Sequence, residues 1–302
     1  MKTTTLLAVM TAFILTACTR DNITATDYIT EITEHADDQS RFSNEIDAVA
    51  NDVNLAVESS VGFSGRLESL VCDANIVLDT TGATRTLTIT FNGSNCAGPR
   101  TRTGSVIVSM ASTTRWRNAG ATLNLSFHNL KITRVSDNKS ITINGTQVIT
   151  NVSGGLLVNL ASTGSITHTI TSNNMSLTLD NGNQRTWNVA RKRVFSYNNG
   201  IVISTTGLHT SGATTGVSEW GTNRFGNAFT TAIAQPLVIR QDCNFRLVSG
   251  KINHWTHLFN ASALFGLDAT GNPTGCTVNG NYYLKIEWTG PSGIRRTVIL
   301  PY

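Results

Sequence analysis

Read for its apolar and polar positions, the chain changes period twice. A continuous apolar run occupies Leu6 to Ala17. Between Asp27 and Val57 the period is helical: Ile46, Val49, Ala50, Val53 and Val57 fall on one stripe, the spacing of an amphipathic helix. Tyr28 and Ile32 make a shorter version upstream. Asp27 and Ser43 are candidate N-caps, the latter followed by Glu45 and Asp47 in a favourable first turn. From Phe63 onward the period is two. Leu87, Ile89 and Phe91 alternate with threonine, and Val106, Val108 and Met110 share a face. So do Leu123, Leu125 and Phe127, then Ile141 with Ile143, then Met175, Leu177 and Leu179, and near the end Tyr282, Leu284, Ile286 and Trp288. Asn-Gly stands at 92–93, 144–145, 181–182, 199–200 and 279–280, a pair that accepts the positive φ of tight hairpin turns. The pattern predicts an all-β protein. Its large antiparallel sheet is made of sequential hairpins, extended or sandwich-like, with one N-terminal helical segment.

The opening run is shorter than the ~20 residues a membrane-spanning helix needs and fits the apolar region of an export signal. It ends in Leu15-Thr16-Ala17-Cys18. This segment resembles the lipobox of bacterial lipoproteins. The resemblance implies cleavage before Cys18, a diacylglycerol on its thiol and an acyl chain on the new amino terminus. Each buried methylene contributes about 0.8 kcal/mol, so two or three chains hold a protein on a bilayer. The expected organisation is a signal peptide at 1–17, a lipidated tether at 18–26, an acidic amphipathic helical segment at 27–58 and an antiparallel β domain at 59–302.

Cysteine content extends this reading. Apart from Cys18 there are Cys72, Cys96, Cys243 and Cys276, an even set in a chain expected to meet an oxidising compartment. Of the three possible pairings, the local one joins Cys72 to Cys96 and Cys243 to Cys276, each pair bracketing its own strand-like segment. A four-cysteine metal site is disfavoured because no C-x-x-C spacing exists, and no metal or cofactor is expected.

Charge is unevenly distributed. Residues 19–58 carry ten acids against Arg20 and Arg41, a net of −8, whereas residues 59–302 carry a net of +11. The acidic leader lies across the basic body, or the body presents positive surface to an anionic partner, or, the plainest reading, the charges are solvated surface with no partner. In NQRTWNVARKRVFSY, strand parity places Trp187, Arg191, Arg193, Phe195 and Tyr197 on one face. Arginines interleaved with aromatics suit a glycan or lipopolysaccharide. They better suit packing in which arginine stems cover apolar rings at a sheet edge. Nucleic acid is not an expected partner of an exported, anchored protein.

Candidate catalytic groups are sparse. Gly62-Phe63-Ser64-Gly65 is one residue short of a nucleophile elbow. His254 and His257 are three apart but lack the intervening glutamate of a zinc helix. The body holds nine carboxylates for a glycosidase pair, and nothing in the sequence pairs them. Cys72, TLTITFNGSNC, GPRTRTGSVIVSM and NGNQRTWNVARKRVF resemble uncharacterised surface lipoproteins of Bacteroidetes, a likeness that implies an envelope location and a β fold without an activity. Surface-exported members often carry a run of acids after the lipidated cysteine; here only Asp21 lies close. The sequence thus leads to a non-enzymatic, lipid-anchored structural or binding lipoprotein of the cell envelope, at the outer membrane. The alternative is a carbohydrate-binding or carbohydrate-processing accessory.

Overall fold

A computed structural model describes residues 25–60, 71–93, 98, 100–276, 280–290 and 293–302. One long helix, α1 (Ala25–Ser60), precedes fifteen strands in a single antiparallel sheet. The strands are β1 (Ala74–Asp79), β2 (Thr84–Asn92), β3 (Arg100–Ala111), β4 (Ala121–Arg134), β5 (Ser140–Asn151), β6 (Ser165–Thr178), β7 (Gln184–Tyr197) and β8 (Ile201–Gly207). They continue as β9 (His209–Ser211), β10 (Thr214–Thr222), β11 (Ala228–Arg240), β12 (Arg246–Thr256), β13 (Asn260–Leu267), β14 (Tyr283–Thr289) and β15 (Arg295–Pro301). The order follows the chain from β1 to β7 and from β10 to β15. Between β7 and β11 one position is shared: β10 pairs with one half of each and β8 with the other. The expected all-β sheet of sequential hairpins with one N-terminal helix is the fold observed.

The helix is continuous through Ser43, so that residue caps nothing, and Asp27 falls within the helix instead of before it. The predicted apolar stripe is the buried one: Ile46, Val49 and Val53 are fully covered, with Ala50 and Val57 nearly so. Burying each such aliphatic side chain contributes roughly 1.5–3 kcal/mol. The alternating residues of β2, β3, β4, β5 and β6 form the opposing wall of the same core.

The sheet bends where its ladders slip. Gly104 in β3, Asn129 in β4, Gly145 in β5 and Asn174 in β6 all have positive φ, and each lies at a register shift. The four bulges line up from strand to strand. Asn129 N–H donates to Asn144 Oδ1 at 2.7 Å, and Asn174 N–H donates to Asn188 Oδ1 at 2.6 Å. A bulge bends its strand and adds twist, so a row of them creases the sheet into a trough, which α1 fills. The slip also moves the buried set from odd to even positions in β4, from Leu123, Leu125 and Phe127 to Leu130 and Ile132. Asn144-Gly145 is therefore a bulge, not the hairpin turn its sequence predicts. Asn181-Gly182 and Asn199-Gly200 do close hairpins. Asn92-Gly93 ends β2, and Asn279 lies outside the described residues.

Gly104 tests the crease. A Cβ built there would meet Asn129 O at 2.2 Å, at a φ of +96°. Gly104→Ala is expected to cost about 2 kcal/mol or more, as strain at a glycine-only conformation, read as a lowered urea midpoint. An unchanged midpoint would mean that the crease is not required.

Candidate functional site

The helix crosses the strands. Val57 borders a cavity of about 50 Å³ with Leu78, Leu87 and Met110. Moving toward the N-terminus, Asp52 reaches Arg102 of β3, Asp47 reaches Arg191 of β7, and Gln39 reaches Glu219 of β10 and Thr231 of β11. His35 then meets His254 of β12. Acids flank the apolar stripe on both sides, because a period of 3.6 residues places Glu34, Asp38, Glu45 and Asp52 on one flank and Asp47 and Glu58 on the other.

The eight acids of α1 from Glu31 to Glu58 each have a partner across the trough. Glu45 pairs with Arg100 at 2.6 Å, Asp37 with Arg134 at 2.6 Å, and Asp38 with Arg224 at 2.6 Å. Glu34 lies 3.0 Å from Arg224 and 3.6 Å from Lys139. Asp52 shares Arg102 with Asp73, and that guanidinium also lies 4.3 Å from the centre of the Phe91 ring. Glu31 accepts from Asn223 and Asn227, and Glu58 accepts from the backbone N–H groups of Leu157 and Val158. The charge split along the chain is thus resolved within the molecule: the acidic leader lies across the basic body.

The densest part is the predicted face of β7. Parity brings Trp187, Arg191, Arg193 and Phe195 together as expected, but the face points into the trough. Trp187 is 1% exposed, Arg191 6%, Arg193 4% and Phe195 4%. Tyr197, at the end of the strand, is 51% exposed. The two arginines therefore meet α1 instead of solvent. Arg191 donates to Asp47 and to Ser43 Oγ, each at 2.9 Å, and pairs with Glu219; Arg193 pairs with Asp47. Glu219 is the hub. It accepts from Ser43 Oγ at 2.5 Å and from Gln39 Nε2 and Trp187 Nε1, each at 3.0 Å. No local motif announces Glu219, since its helix partners lie more than 170 residues away along the chain. The only forewarning is the opposite charge of leader and body.

Histidines continue the buried layer. The His35 and His254 rings lie 4.4 Å apart, with Trp187 and Phe229 against His35. Burial holds His35 well below the usual imidazole range, helped by His254, and burial brings His254 to about 4. Burial and the neighbouring Arg193 bring His168 to about 4. All three are neutral imidazoles at pH 7. His257 stands exposed after β12, so it does not share a site with His254.

Other candidates are occupied by structural roles. Of the nine body carboxylates, Asp73, Asp137, Asp180, Asp242 and Glu287 pair with cations, and Glu219 is the hub. Asp79 and Asp268 accept turn hydrogen bonds from Thr81 and Thr270, and Glu68 lies outside the described residues. Gly62-Phe63-Ser64-Gly65 lies outside them too, as does Cys18. Cys243 and Cys276 form the expected disulfide. Cys72 is also disulfide-bonded, while Cys96 lies outside the described residues. Asp242 approaches Cys243 and Cys276, but their sulfurs are bonded to each other.

Beneath the helix, a cavity of about 10 Å³ adjoins Asn51, Asn54, Trp116, His168 and Arg193, space for about one water molecule. On the face turned away from α1, a shallow cleft of about 430 Å³ is lined by Ser176, Gln184, Arg185, Thr186, Thr222 and Gly226. The Arg185 guanidinium there donates to the carbonyls of Asn223, Gln184 and Arg224.

No protein-family model matches the chain, and no curated protein or solved structure shows detectable similarity to it.

Proposed function

We propose that this protein is a lipid-anchored lipoprotein of the cell envelope, facing its compartment from the outer membrane, with a structural or binding role and no catalysed reaction. The observation that carries this reading is the use made of α1. Acid–base groups that a hydrolase would present to substrate are instead committed to joining the helix to the sheet, in a sealed interior. Ser43, Glu219, Gln39, Thr231 and His254 form a chain of hydrogen bonds, with Gln39 Nε2 donating to both Glu219 and Thr231. Its hydroxyls are already partnered and lie under the helix.

The short tether supports the anchor. Ala25 lies seven positions after Cys18, a reach of about 24 Å fully extended. A lipidated Cys18 would hold the sheet close to the bilayer surface. Among the described residues no helix is long and apolar enough to cross a membrane.

Mass spectrometry of the full chain purified from its own membranes tests this. The expected amino terminus is Cys18 carrying a diacylglycerol and an amide-linked acyl group, and the Cys18→Ser variant loses that mass. An intact Met1 on the native protein would overturn the reading.

A further inference from the structure

We propose that the face of the sheet turned away from α1 binds a linear, uncharged glycan along a row that crosses β7, β10, β11, β12 and β13. The inference rests on the binding role proposed above and deepens it by naming the ligand class. Register builds the row. Asn188 pairs with Trp220, Trp220 with Thr230, Thr230 with Trp255, and Trp255 with Asn260. Directly paired residues of an antiparallel ladder point to the same side. The residue before each tryptophan fixes which side that is. Glu219 bonds to Ser43 and Gln39 of α1, and His254 meets His35. Alternation therefore turns Trp220 and Trp255 away from the helix.

The composition of the row selects the ligand. Amide or hydroxyl alternates with indole, and none of the five side chains is charged. Both tryptophans are half-buried, so each keeps some ring surface open to water. His209 stacks on Trp220 with ring centres 4.1 Å apart, which fixes the plane of that indole. Two strand spacings, about 10 Å, separate the two tryptophan positions. A pyranose ring has an apolar C–H face and a rim of hydroxyls. The face stacks on an indole, and the rim needs donors and acceptors alongside. A linear chain lying along the row sets alternate rings on the two indoles and its hydroxyls against Asn188, Thr230 and Asn260. A polyanion finds no cation within the row to pair its charges.

The shallow cleft of about 430 Å³ adjoins this row. Its Thr222 lies two positions beyond Trp220 on the same strand, hence on the same side, and its Oγ1 accepts from Thr186 N–H at 3.3 Å. The volume falls within the about 300–1,000 Å³ of small-molecule sites. Gln184 and Ser176, hydrogen-bonded to each other at 2.5 Å, add an amide and a hydroxyl, and the Arg185 guanidinium is held by three backbone carbonyls.

Isothermal titration calorimetry on the full-length protein, extracted from its own membranes in detergent, tests this. The probes are the linear hexaoses of cellulose, xylan, mannan, chitin and β-1,3-glucan. The expected result is saturable binding of at least one hexaose, weakened at least tenfold by Trp220→Ala and by Trp255→Ala. Thr230→Val keeps the side-chain volume and removes one hydroxyl from the row, so it reports on the site without threatening the fold; a loss of at least threefold is expected. Trp288→Phe, on the helix side of the sheet, is expected to leave the affinity unchanged. Binding of none of the hexaoses would overturn the proposal. So would binding that both tryptophan variants retain while their far-ultraviolet circular dichroism matches the wild type. The mass of the amino-terminal peptide from the same preparation reports on the anchor separately. An unmodified Cys18 removes the lipid-anchor reading whatever the calorimetry shows, whereas an acylated Cys18 without hexaose binding removes only this inference.

Discussion

Arg191→Ala is expected to lower stability by about 3–5 kcal/mol, the cost of leaving a buried carboxylate without its cation. Small domains have only 5–15 kcal/mol in total, so the variant should sit near the edge of unfolding. The reason is geometric. Glu219 is 1% exposed, and Arg191 joins it to Asp47 on the helix. Without the guanidinium, the donors Ser43, Gln39 and Trp187 remain, but they carry no compensating charge. Adding Glu219→Gln to Arg191→Ala removes the stranded charge and is expected to recover part of the loss. A double-mutant cycle in urea, followed by far-ultraviolet circular dichroism, measures the coupling. A loss below about 1 kcal/mol, the range of an exposed pair, would mean that α1 does not dock as described. The charge-reversal pair Arg191→Glu with Arg193→Glu follows the same logic. It sets like charges against Asp47 and Glu219, and its expected effect is release of the helix from the sheet.

The second large effect is on acid stability. His35, His168 and His254 have pKa values lowered in the folded protein, mainly by burial. An unfolded histidine takes up its proton near pH 6.5, whereas these fold as neutral rings. Their contribution is present above pH 6.5 and is lost as pH falls from there toward about 4. At pH 5 the linkage is about 2 kcal/mol each for His168 and His254, and His35 acts in the same direction. Three buried acids work in the opposite direction. Desolvation outweighs the nearby arginines and raises Asp38, Glu45 and Asp52, so falling pH through their raised range favours the folded state. The histidines act first on the way down, and urea midpoints should drop between pH 7 and pH 5. His35→Phe isolates the effect. Both ring nitrogens of His35 lack a hydrogen-bond partner among the described residues, and its neighbours are aromatic. The variant should gain stability over the wild type at pH 5 and much less at pH 7. An equal change at both pH values would assign the effect to packing alone.

Much of the architecture was legible because it follows local periods. The stripe Ile46 to Val57 needs only the 3.6-residue repeat, and the faces of β2, β3, β4 and β6 need only alternation. Alternation also placed Trp187, Arg191, Arg193 and Phe195 on a common side. It could not say which side faces water, since a strand with two substantial faces looks the same turned either way. The bulges were the other blind spot. Asn144-Gly145 has the composition of a hairpin turn, but its neighbours in β4 and β6 also slip, and the pair becomes one point on a crease. A glycine with positive φ serves either purpose, and only the adjoining strands decide which.

By itself, then, the sequence determined the helix, the strands, the apolar side of most of them and the separation of charge into an acidic leader and a basic body. These depend on residues a few positions apart. The tertiary structure alone decided that leader and body neutralise each other, that Glu219 joins them, and that the aromatic–arginine face of β7 looks inward. Those outcomes depend on groups 50 to 196 residues apart along the chain. Such groups meet only after a row of bulges has folded the sheet around the helix, and once they are removed from water each charge there must be matched by another.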